Sequence, residues 1–524
     1  MLTTLTAPAF AKTWDIEKGD ITVKAGETGN DVTQNNVTTK NDTNTIITNQ
    51  KTDTASSHTV TIKTNDKNDT VEVTLKDVNI DASSRNEAAV SVTGSGNTTI
   101  KLDGDNHLTG GISDNGSYGL SGISSSGSLT ISGGETDSLT AQGGSGTDGS
   151  GGRGIFSKDL TISGGTVNAN GGDGKNGSGG SGITSLGSLT ISGGTVNAAG
   201  GDGTNSSDGG DGGDGITNNR GVTISSGGTV TAKGGSGEDG SGGRGISSFG
   251  GVTISSGGTV TATGGNSTGS DGSGGDGISS TSTTISGGTV TADGGSGNFS
   301  GGNGIRSFDV AISGGTVNVA GGNGGNGSRS DVGNGIISNG IDLSGSLELT
   351  AKAGSPNGKA LSQAGHELDL NTIKDKLGPG AKVTATDANG KVIDQVPIPR
   401  PVEPEEPVIP EESSSSSDGG SATPSAPASS LPGLTVTDKD GQRISYTSTQ
   451  SGNTLTVCVG RFTASLRASL STLRQLRAEG IDTITFQTIL CSTTLSVDEL
   501  LAMGGEDAEA VLTHRFTASS LTVG

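Results

Sequence analysis

The sequence predicts an all-β fold: a parallel β-helix, which is a solenoid of coils of about 30 residues, followed by a small C-terminal α+β domain. Three observations lead to this prediction. Short apolar segments recur at a regular interval, and their apolar residues alternate with polar ones. The composition, with 97 glycines and only 2% aromatic residues, leaves too few large side chains for a compact globular core.

A repeat begins near residue 120, and each copy carries three apolar markers in step. The markers are the isoleucine of T-I-S, the isoleucine of G-I and the valine of G-G-T-V. The T-I-S isoleucines are Ile131, Ile162, Ile191, Ile224, Ile254, Ile285 and Ile312, and Leu343 takes this place in a last, diverged copy. A disordered glycine-rich chain gives no reason for phased apolar residues, so the copies are predicted to stack around one narrow core.

Within each unit, apolar and polar residues alternate at the period of a β-strand. In GIFSKDLTISGGTVNA (154–169), Leu160 and Ile162 share one strand face, and Val167 and Ala169 share another. Ile155 supplies a third inward position. Three short strands per unit, stacked about 4.8 Å apart, make a parallel β-helix with inward ladders of isoleucine and valine.

The rest of each unit is a loop rich in glycine and aspartate, between the G-G-T-V strand and the next G-I strand. Loop lengths vary while the strand spacing is kept, so the loops are expected to line one edge of the solenoid, where solenoids often bind their ligands. We expect the loop glycines to let the chain turn this corner, many of them with positive φ.

The flanking segments differ in composition and suggest further boundaries. Residues 1–11 end in A-F-A and are expected to be the tail of a secretory signal peptide, which predicts a secreted or cell-surface protein. A β-helix is predicted at 12–396, with irregular cap coils before residue 112. Near its end, the segment LDLNTIKDKL is expected to form a short cap. A Pro-, Glu- and Ser-rich linker at 397–432 and an α+β domain at 433–524 follow.

The C-terminal domain shows helical as well as strand patterns. SLRASLSTLRQLRAEG carries Leu466, Leu470 and Leu473 at helical spacing, and IDTITFQT is typical of a strand. Ser496 to Glu499 match a capping box before LLAM. The basic residues Arg467, Arg474 and Arg477 are expected on a solvated helix face. Cys458 and Cys491 leave two alternatives open, a single disulfide or two free thiols.

The formal net charge of −22 argues against nucleic acid and anionic membranes as partners. No segment is long and apolar enough to span a membrane, and the four scattered histidines give no support to a zinc cluster. Cations, neutral glycans and other proteins remain compatible partners.

Enzymatic activity is not expected from the repeats. Glycoside hydrolysis needs two carboxylates at a fixed separation, and a lyase needs a base such as lysine or arginine beside bound calcium. Basic residues are few between 120 and 345, and Arg153 and Arg244 occupy equivalent positions three coils apart. The match of residues 149–154 to G-x-G-x-x-G is followed by no helix, so it predicts no dinucleotide site.

Calcium is the most plausible ligand of the corner loops because it takes six to eight oxygen ligands. GGDGGDGI (209–216) matches a calcium-coil repeat once in full, but equivalent loops place Arg or Ser where it has its second aspartate, which favours a structural corner. The candidate metal ligands are the loop aspartates Asp173, Asp202, Asp208, Asp211, Asp214, Asp239, Asp271 and Asp276.

Sugar-stacking aromatic residues are scarce in the repeats. Phe156, Phe249, Phe299 and Phe308 are expected to pack in the core or at its rim. Columns of outward threonines, such as Thr161 and Thr190, either bind sugars through hydrogen bonds or form a solvated strand face.

The unit at 154–169 resembles those of bacterial secreted carbohydrate-binding domain proteins of the polygalacturonate-binding β-helix type, with the resemblance covering about residues 58–352. The corner loops depart from that pattern because they are longer and richer in glycine. The resemblance implies a right-handed, pectate-lyase-like β-helix that binds acidic plant polysaccharide and calcium without lyase activity.

We therefore expect a non-catalytic, extracellular polysaccharide-binding protein, with calcium as the candidate cofactor that assists binding of an acidic glycan. The alternatives are a structural surface adhesin or stalk, whose C-terminal domain contacts a surface protein, and a degenerate polysaccharide lyase.

Overall fold

The structure of this protein is a computed structural model that describes residues 12–51, 53–204, 210–225, 227–238, 240–255, 257–325, 333–397, 434–438, 442–444, 446–451, 453–459, 463–488, 492–503, 509–514 and 519–523. These residues belong to two compact units, one within 1–404 and the other within 405–524. The predicted signal-peptide tail at 1–11 and, apart from Pro397, the predicted linker lie outside the described residues.

The first unit is a parallel β-solenoid of about 14 coils, which confirms the predicted fold class. Each regular coil passes through three strand positions, called S1, S2 and S3 here, and equivalent strands of successive coils pair in parallel. From S3 the chain enters a glycine-rich loop and returns to S1 of the next coil.

The strands are grouped by these positions. S1 contains Ile21–Ala25, Val60–Lys63, Val90–Thr93, Ile123–Ser125, Ile155–Ser157, Ile183–Ser185, Ile216–Asn218, Ile336–Ser338 and Leu361–Gln363. S2 contains Lys12–Asp15, Thr45–Thr48, Thr70–Lys76, Asn97–Asp103, Ser128–Ser132, Asp159–Ile162, Ser188–Ile191 and Gly221–Ile224. S3 contains Asn79–Asp81, Asp105–Thr109, Ser138–Gln142, Thr166–Asn170, Thr195–Ala199, Thr229–Lys233, Thr259–Thr263 and Lys382–Thr386. Longer strands bend around the corners: Ile246–Ile254 covers S1 and S2, Ile278–Asp293 and Ile305–Ala320 cover all three positions, and Gly340–Lys352 covers S2 and S3.

The strand register follows the sequence repeat. Ile162 pairs with Ile131 on one side and with Ile191 on the other, and this ladder continues to Leu343. The G-I isoleucines and G-G-T-V valines form two further ladders, and the side chains of all three are buried. Each coil therefore buries only a few β-branched residues, and its neighbours complete the core.

In the described parts of the glycine-rich loops, the glycines serve a purpose different from the predicted one. Described loop glycines of residues 209–216 have no positive φ; that conformation occurs instead in the S-G-G bends between S2 and S3, as at Gly165 and Gly194. In the loops, the outgoing and returning limbs bond to each other. Successive N–H groups donate to carbonyl oxygens at 2.7–2.9 Å along Gly144, Gly152, Gly172, Gly180, Gly201, Gly213, Gly235, Gly243, Gly265, Gly275, Gly295, Gly302 and Gly322, called the glycine ladder here.

Glycine is needed in this ladder because the returning limbs of successive coils approach each other too closely for side chains. A Cβ atom on Gly213 would lie 2.0 Å from the carbonyl oxygen of Gly180, and one on Gly243 would lie 1.9 Å from that of Gly213. Two short strands, Gly174–Lys175 and Gly203–Thr204, extend one part of this layer. The loops therefore form a packed layer along one edge of the solenoid.

Both ends of the solenoid are capped, as expected. At the first end, Asn30–Gln34 pairs antiparallel with Ile21–Ala25 and Val37–Asp42, and a 3-10 helix spans Ile16–Lys18. At the other end, Val392–Pro397 pairs antiparallel with the last S3 strand, and His366–Glu367 pairs with Leu361–Gln363. LDLNTIKDKL forms two 3-10 helices, Leu370–Thr372 and Lys374–Lys376, in agreement with the predicted short cap.

The described residues of the second unit form two four-stranded sheets and two helices. One sheet has Leu434–Thr437, Ala464–Ser469, Glu509–His514 and Ser519–Val523; the other has Thr447–Ser451, Thr454–Cys458, Thr483–Gln487 and Ser492–Ser496. The helices are α1 (Leu470–Ala478) and α2 (Val497–Met503). The predicted strand IDTITFQT and the cap at Ser496, whose Oγ accepts from Glu499 N at 3.4 Å, are confirmed.

Two details of the predicted helix were wrong. Leu466 and Arg467 lie on strand Ala464–Ser469, because Ser469 caps α1 and accepts a hydrogen bond from Thr472 N. Buried and half-buried residues alternate along this strand, and Leu466 is one of the buried ones. Arg474 and Arg477 are exposed on α1, as expected, and Arg477 also contacts Asp498 and Asp482.

The cysteine alternatives remain open. Cys458 is a free thiol among the described residues, half-buried, with its Sγ 3.5 Å from Gln487 Oε1. Burial raises the pKa of this thiol. Cys491 lies outside the described residues.

Candidate functional site

The predicted metal ligands lie along the glycine-rich edge but are spread over several coils. Asp173, Asp202, Asp211 and Asp271 are exposed, Asp214 is half-buried and Asp276 is buried, while Asp208 and Asp239 lie outside the described residues. Part of the described set is brought together: Asp211, Asp214 and Asp276 line one groove.

Many of these aspartates have a structural task that sequence reasoning missed. Their Oδ1 atoms accept a backbone N–H from the next coil: Asp173 from Asp202 N (2.9 Å), Asp202 from Ser236 N (2.7 Å), Asp211 from Ser241 N (2.6 Å), Asp214 from Arg244 N (2.7 Å) and Asp276 from Asn303 N (2.7 Å). Asn266 and Asn303 make the same bond to Ser296 N and Asn334 N. The exchange of Asp for Asn at equivalent loop positions was the available signal, because both types accept such a bond.

This arrangement does not build a protein-only calcium cage among the described residues. Within them, no group of three or more His, Cys, Asp or Glu side chains is placed to hold a metal ion. A calcium ion takes six to eight oxygens, and several of these carboxylates have one oxygen committed to the backbone. Calcium binding by the loops stays a prediction.

The groove crosses four successive coils on the glycine-rich edge and is called the loop groove here. Its lining residues are Asp211, Gly212, Asp214, Ser241, Gly242, Gly243, Arg244, Ser273, Gly274, Gly275, Asp276, Ser300, Gly301, Gly302 and Arg306. Glycines make up much of its lining, and serine, aspartate and arginine side chains supply polar groups. Such a surface offers hydrogen-bond donors and acceptors over an extended length.

The charged centre of the loop groove is a carboxylate between two arginines. Asp276 Oδ2 lies 3.9 Å from Arg244 Nε and 3.5 Å from Arg306 Nε, and the Asp276 side chain is only 8% exposed. The arginine side chains are 46% and 59% exposed, so most of their donors face solvent. The other Asp276 oxygen is held by both the backbone N and the Nδ2 of Asn303. The carboxylate thus orients two guanidinium groups that remain accessible to a ligand.

Asp214 lines the loop groove in the first of its four coils. Burial raises the pKa of this carboxyl, and hydrogen bonds from Arg244 N and the Thr217 hydroxyl, together with the Arg244 charge, only partly oppose the effect. The ionised form is therefore disfavoured relative to the unfolded chain.

We expect Asp214→Asn to raise the melting temperature at pH 7, with the difference shrinking toward pH 4. A carboxyl with a raised folded-state pKa contributes stability below its unfolded value, here 3.8, and that stability is lost as the pH rises through the folded value. Asparagine keeps the acceptor for Arg244 N without this loss. Thermal melts of both proteins from pH 4 to pH 7 measure the difference.

The matched control is Asp202→Asn, which removes an exposed charge that makes the same kind of backbone bond. A gain for Asp214→Asn that equals the control at every pH would contradict the role of burial.

The aromatic residues are not where core packing would put them. Phe249 is 75% exposed, Phe308 61% and Phe299 38%, and Phe156 is half-buried. The outward threonines form straight columns, with Thr161 paired to Thr130 and Thr190 across coils. The prediction of packing in the core or at its rim was wrong for Phe249 and Phe308, because both side chains are largely exposed at an outer corner.

The fold and the loop groove define a parallel β-solenoid with an extended polar surface on its loop edge. Comparison of the chain with family models, curated proteins and solved structures gives no significant match. Among the described residues, no helix has the length and apolar character needed to cross a membrane. Functional inference therefore rests on the residues of the site.

Proposed function

We propose that this protein is a non-catalytic, extracellular polysaccharide-binding protein, and that the loop groove holds an acidic, pectin-like glycan. The observation that carries the proposal is the pair of accessible guanidinium groups, Arg244 and Arg306, held on either side of Asp276 in a polar groove four coils long. An extended groove of this kind suits a polymer better than a small ligand.

Charge favours an acidic polymer at this position. The two arginines come from coils on either side of Asp276, and their side chains converge on its Oδ2 atom, with Nε distances of 3.9 Å and 3.5 Å. Guanidinium groups bind carboxylates through paired hydrogen bonds, so each can hold one uronate of a chain running along the solenoid.

The net charge of −22 opposes binding of a polyanion over most of the surface. Calcium shared between loop carboxylates and the glycan would reduce this repulsion, which is why we include calcium assistance in the proposal. The free oxygens of Asp173, Asp202 and Asp211, each bonded to backbone through the other oxygen, are the side-chain ligands available for such sharing.

The carboxylates of the loop groove support binding rather than cleavage. Asp214 accepts from both Arg244 N and Thr217 Oγ1, and Asp276 is engaged by Asn303 and by the two arginines. Hydrolysis needs one carboxyl free to donate a proton and a second free to attack or to activate water. Because Asp214 and Asp276 are both engaged, Asp211 is the one carboxylate left among the described lining residues, and a single carboxylate does not make such a pair.

The test is affinity electrophoresis of the full chain in gels that contain polygalacturonate or a neutral glucan, with calcium or with chelator. We expect retardation by the acidic polymer, weakened by chelator. The double variant Arg244→Gln/Arg306→Gln should bind roughly thirtyfold more weakly, since the two charge-assisted contacts contribute on the order of 1 kcal/mol each at an exposed site.

Arg474→Gln is the matched control, because it removes an exposed guanidinium from the second unit. Absence of retention on every polymer, or an equal effect of the control, would overturn the proposal. Product absorbance at alkaline pH with calcium tests for lyase activity, which we do not expect.

A stalk or adhesin remains the alternative outcome of the same test. The second unit has its own hydrophobic core, distinct from that of the solenoid, and so is suited to contact a surface protein separately. Binding to no glycan would favour this alternative.

A further inference from the structure

The corner between S1 and S2 carries a line of exposed apolar side chains, called the apolar row here: Leu186, Phe249 and Phe308. Their exposed fractions are 45%, 75% and 61%, the last two being high for aromatic side chains. Each lies three residues after the isoleucine that begins S1 in its coil. Water-exposed apolar groups in a line, on a protein otherwise rich in polar surface, indicate a contact surface.

The row has a period of two coils. Coil pairing aligns Ser185 with Asn218 and Asn218 with Ser248, so Asn219 falls between Leu186 and Phe249. Likewise Ser280 pairs with Ser307, so Thr281 falls between Phe249 and Phe308. Apolar and polar side chains therefore alternate, and the apolar ones recur about every 9.6 Å.

Neighbouring coils hold these positions in place. Leu186 N donates to Ser157 O at 3.0 Å, and Thr281 Oγ1 donates to Phe249 O at 2.6 Å. The carbonyl of Phe308 accepts from Asn339 N at 3.0 Å and from Ser338 Oγ at 2.9 Å. The spacing of the row is therefore a property of the solenoid itself.

A pocket adjoins one end of the row and adds charged groups. It is lined by Ser125, Ser126, Phe156, Lys158, Asp159, Leu186, Gly187 and Arg220. The guanidinium of Arg153 lies 5.2 Å from the centre of the Phe156 ring. Two cations, Lys158 and Arg220, thus accompany apolar groups here, in a chain of strongly negative net charge.

The apolar row also lies close to the loop groove. Arg306 and Phe308 are both exposed on one strand with the buried Ser307 between them, so they project from the same face. Two strand residues span about 6.6 Å. A polymer held by the groove arginines therefore passes within reach of the row.

We infer that the apolar row is a stacking platform for alternate sugars of the polymer in the loop groove. Among the acidic glycans of the proposed function, this platform favours a flat ribbon with equatorial linkages, such as a β-1,4-linked uronan, over an α-1,4-linked, pectin-like chain. This inference rests on the proposed function. Aromatic rings attract the C–H face of a pyranose through the negative charge of the ring face. In a twofold ribbon every second sugar presents the same face, which matches a platform that repeats every second coil. A chain wound with threefold symmetry does not keep that match.

The experiment compares binding of β-1,4-linked glucuronate hexamers and α-1,4-linked galacturonate hexamers to the full chain by calorimetry. We expect the wild type to prefer the ribbon-like hexamer. Phe249→Ala/Phe308→Ala should lose roughly tenfold in affinity for that hexamer, as expected for two lost stacking contacts, and with it the preference. A β-1,4-linked disaccharide cannot reach both rings, so its binding should change much less.

Tyr118→Ala is the control, since Tyr118 is an aromatic residue 56% exposed outside the row. Unchanged hexamer binding by the double phenylalanine variant, or an equal loss in the control, overturns the inference. A change in sedimentation mass of the variant without a change in glycan affinity also overturns it, because the row would then join two copies of the chain. Loss of binding in Arg244→Gln/Arg306→Gln alone leaves the proposed function standing while the platform fails.

Discussion

Replacing Gly213 with alanine should lower the free energy of unfolding of the solenoid by about 3 kcal/mol or more, a cost at the upper end of that for overpacking. The new Cβ would lie 2.0 Å from the carbonyl oxygen of Gly180. Because backbone cannot rotate away as a flexible side chain can, the returning limbs of these two adjacent coils must move apart. Separation breaks the bonds of Gly213 N to Gly201 O and of Gly235 N to Gly213 O.

Chemical denaturation followed by circular dichroism measures this effect. The matched control is Gly221→Ala, because Gly221 has no positive φ and its added Cβ would meet only the Gly251 carbonyl oxygen at 3.6 Å. The control should remain within about 0.5 kcal/mol of the wild type. Equal stability of the two variants would show that the loop limbs are not packed as described.

Replacing Ile191 with alanine should cost about 2–5 kcal/mol, the range measured for large-to-small changes in protein cores. The side chain is fully buried, and it lies in the ladder between Ile162 and Ile224. A solenoid coil contacts only its neighbours along the axis, so the loss should be local. Hydrogen exchange should become faster in the coils beside Ile191, while exchange in the second unit stays the same.

Thr190→Ala is the control for this variant, because Thr190 is the outward neighbour of Ile191 on the same strand. We expect a change of no more than about 0.5 kcal/mol. Faster exchange across the whole solenoid, to the same degree at both ends, would contradict the local character of the core.

Much of the solenoid could be predicted from apolar residues that recur at the same place in each repeat. The T-I-S isoleucines that recur along the sequence are the same residues that the strand register pairs, from Ile131 to Leu343. The pattern works because a coil has one inward side, and a strand that slipped by one residue would expose its isoleucines. The capping box at Ser496 was readable for a similar local reason, since Oγ to N–H distances depend on four consecutive residues.

The site was less predictable because it depends on contacts between coils. Asp214 and Asp276 were singled out as calcium ligands, but the structure shows their oxygens bonded to backbone of the next coil. Arg306 is one of the few basic residues between 120 and 345, and nothing in its sequence neighbours indicates that its Nε lies 3.5 Å from Asp276 Oδ2 of the adjacent coil. Phe249 and Phe308 were assigned to packing, since their sequence neighbours do not reveal an outer corner. Leu466 was placed on a helix because leucines at period two and at period 3.6 are indistinguishable over so few residues.

The sequence by itself determined the solenoid, its three strands per coil and the edge on which the loops lie, because these follow from residues close together in one repeat. Only the tertiary structure decided what the loop glycines and aspartates do. In GGDGGDGI, Gly212, Gly213 and Gly215 lie against the backbone of other coils, and the aspartates accept from N–H groups about 30 residues away. Such contacts depend on how loops of different length stack, and the spacing of residues within one loop does not encode that stacking.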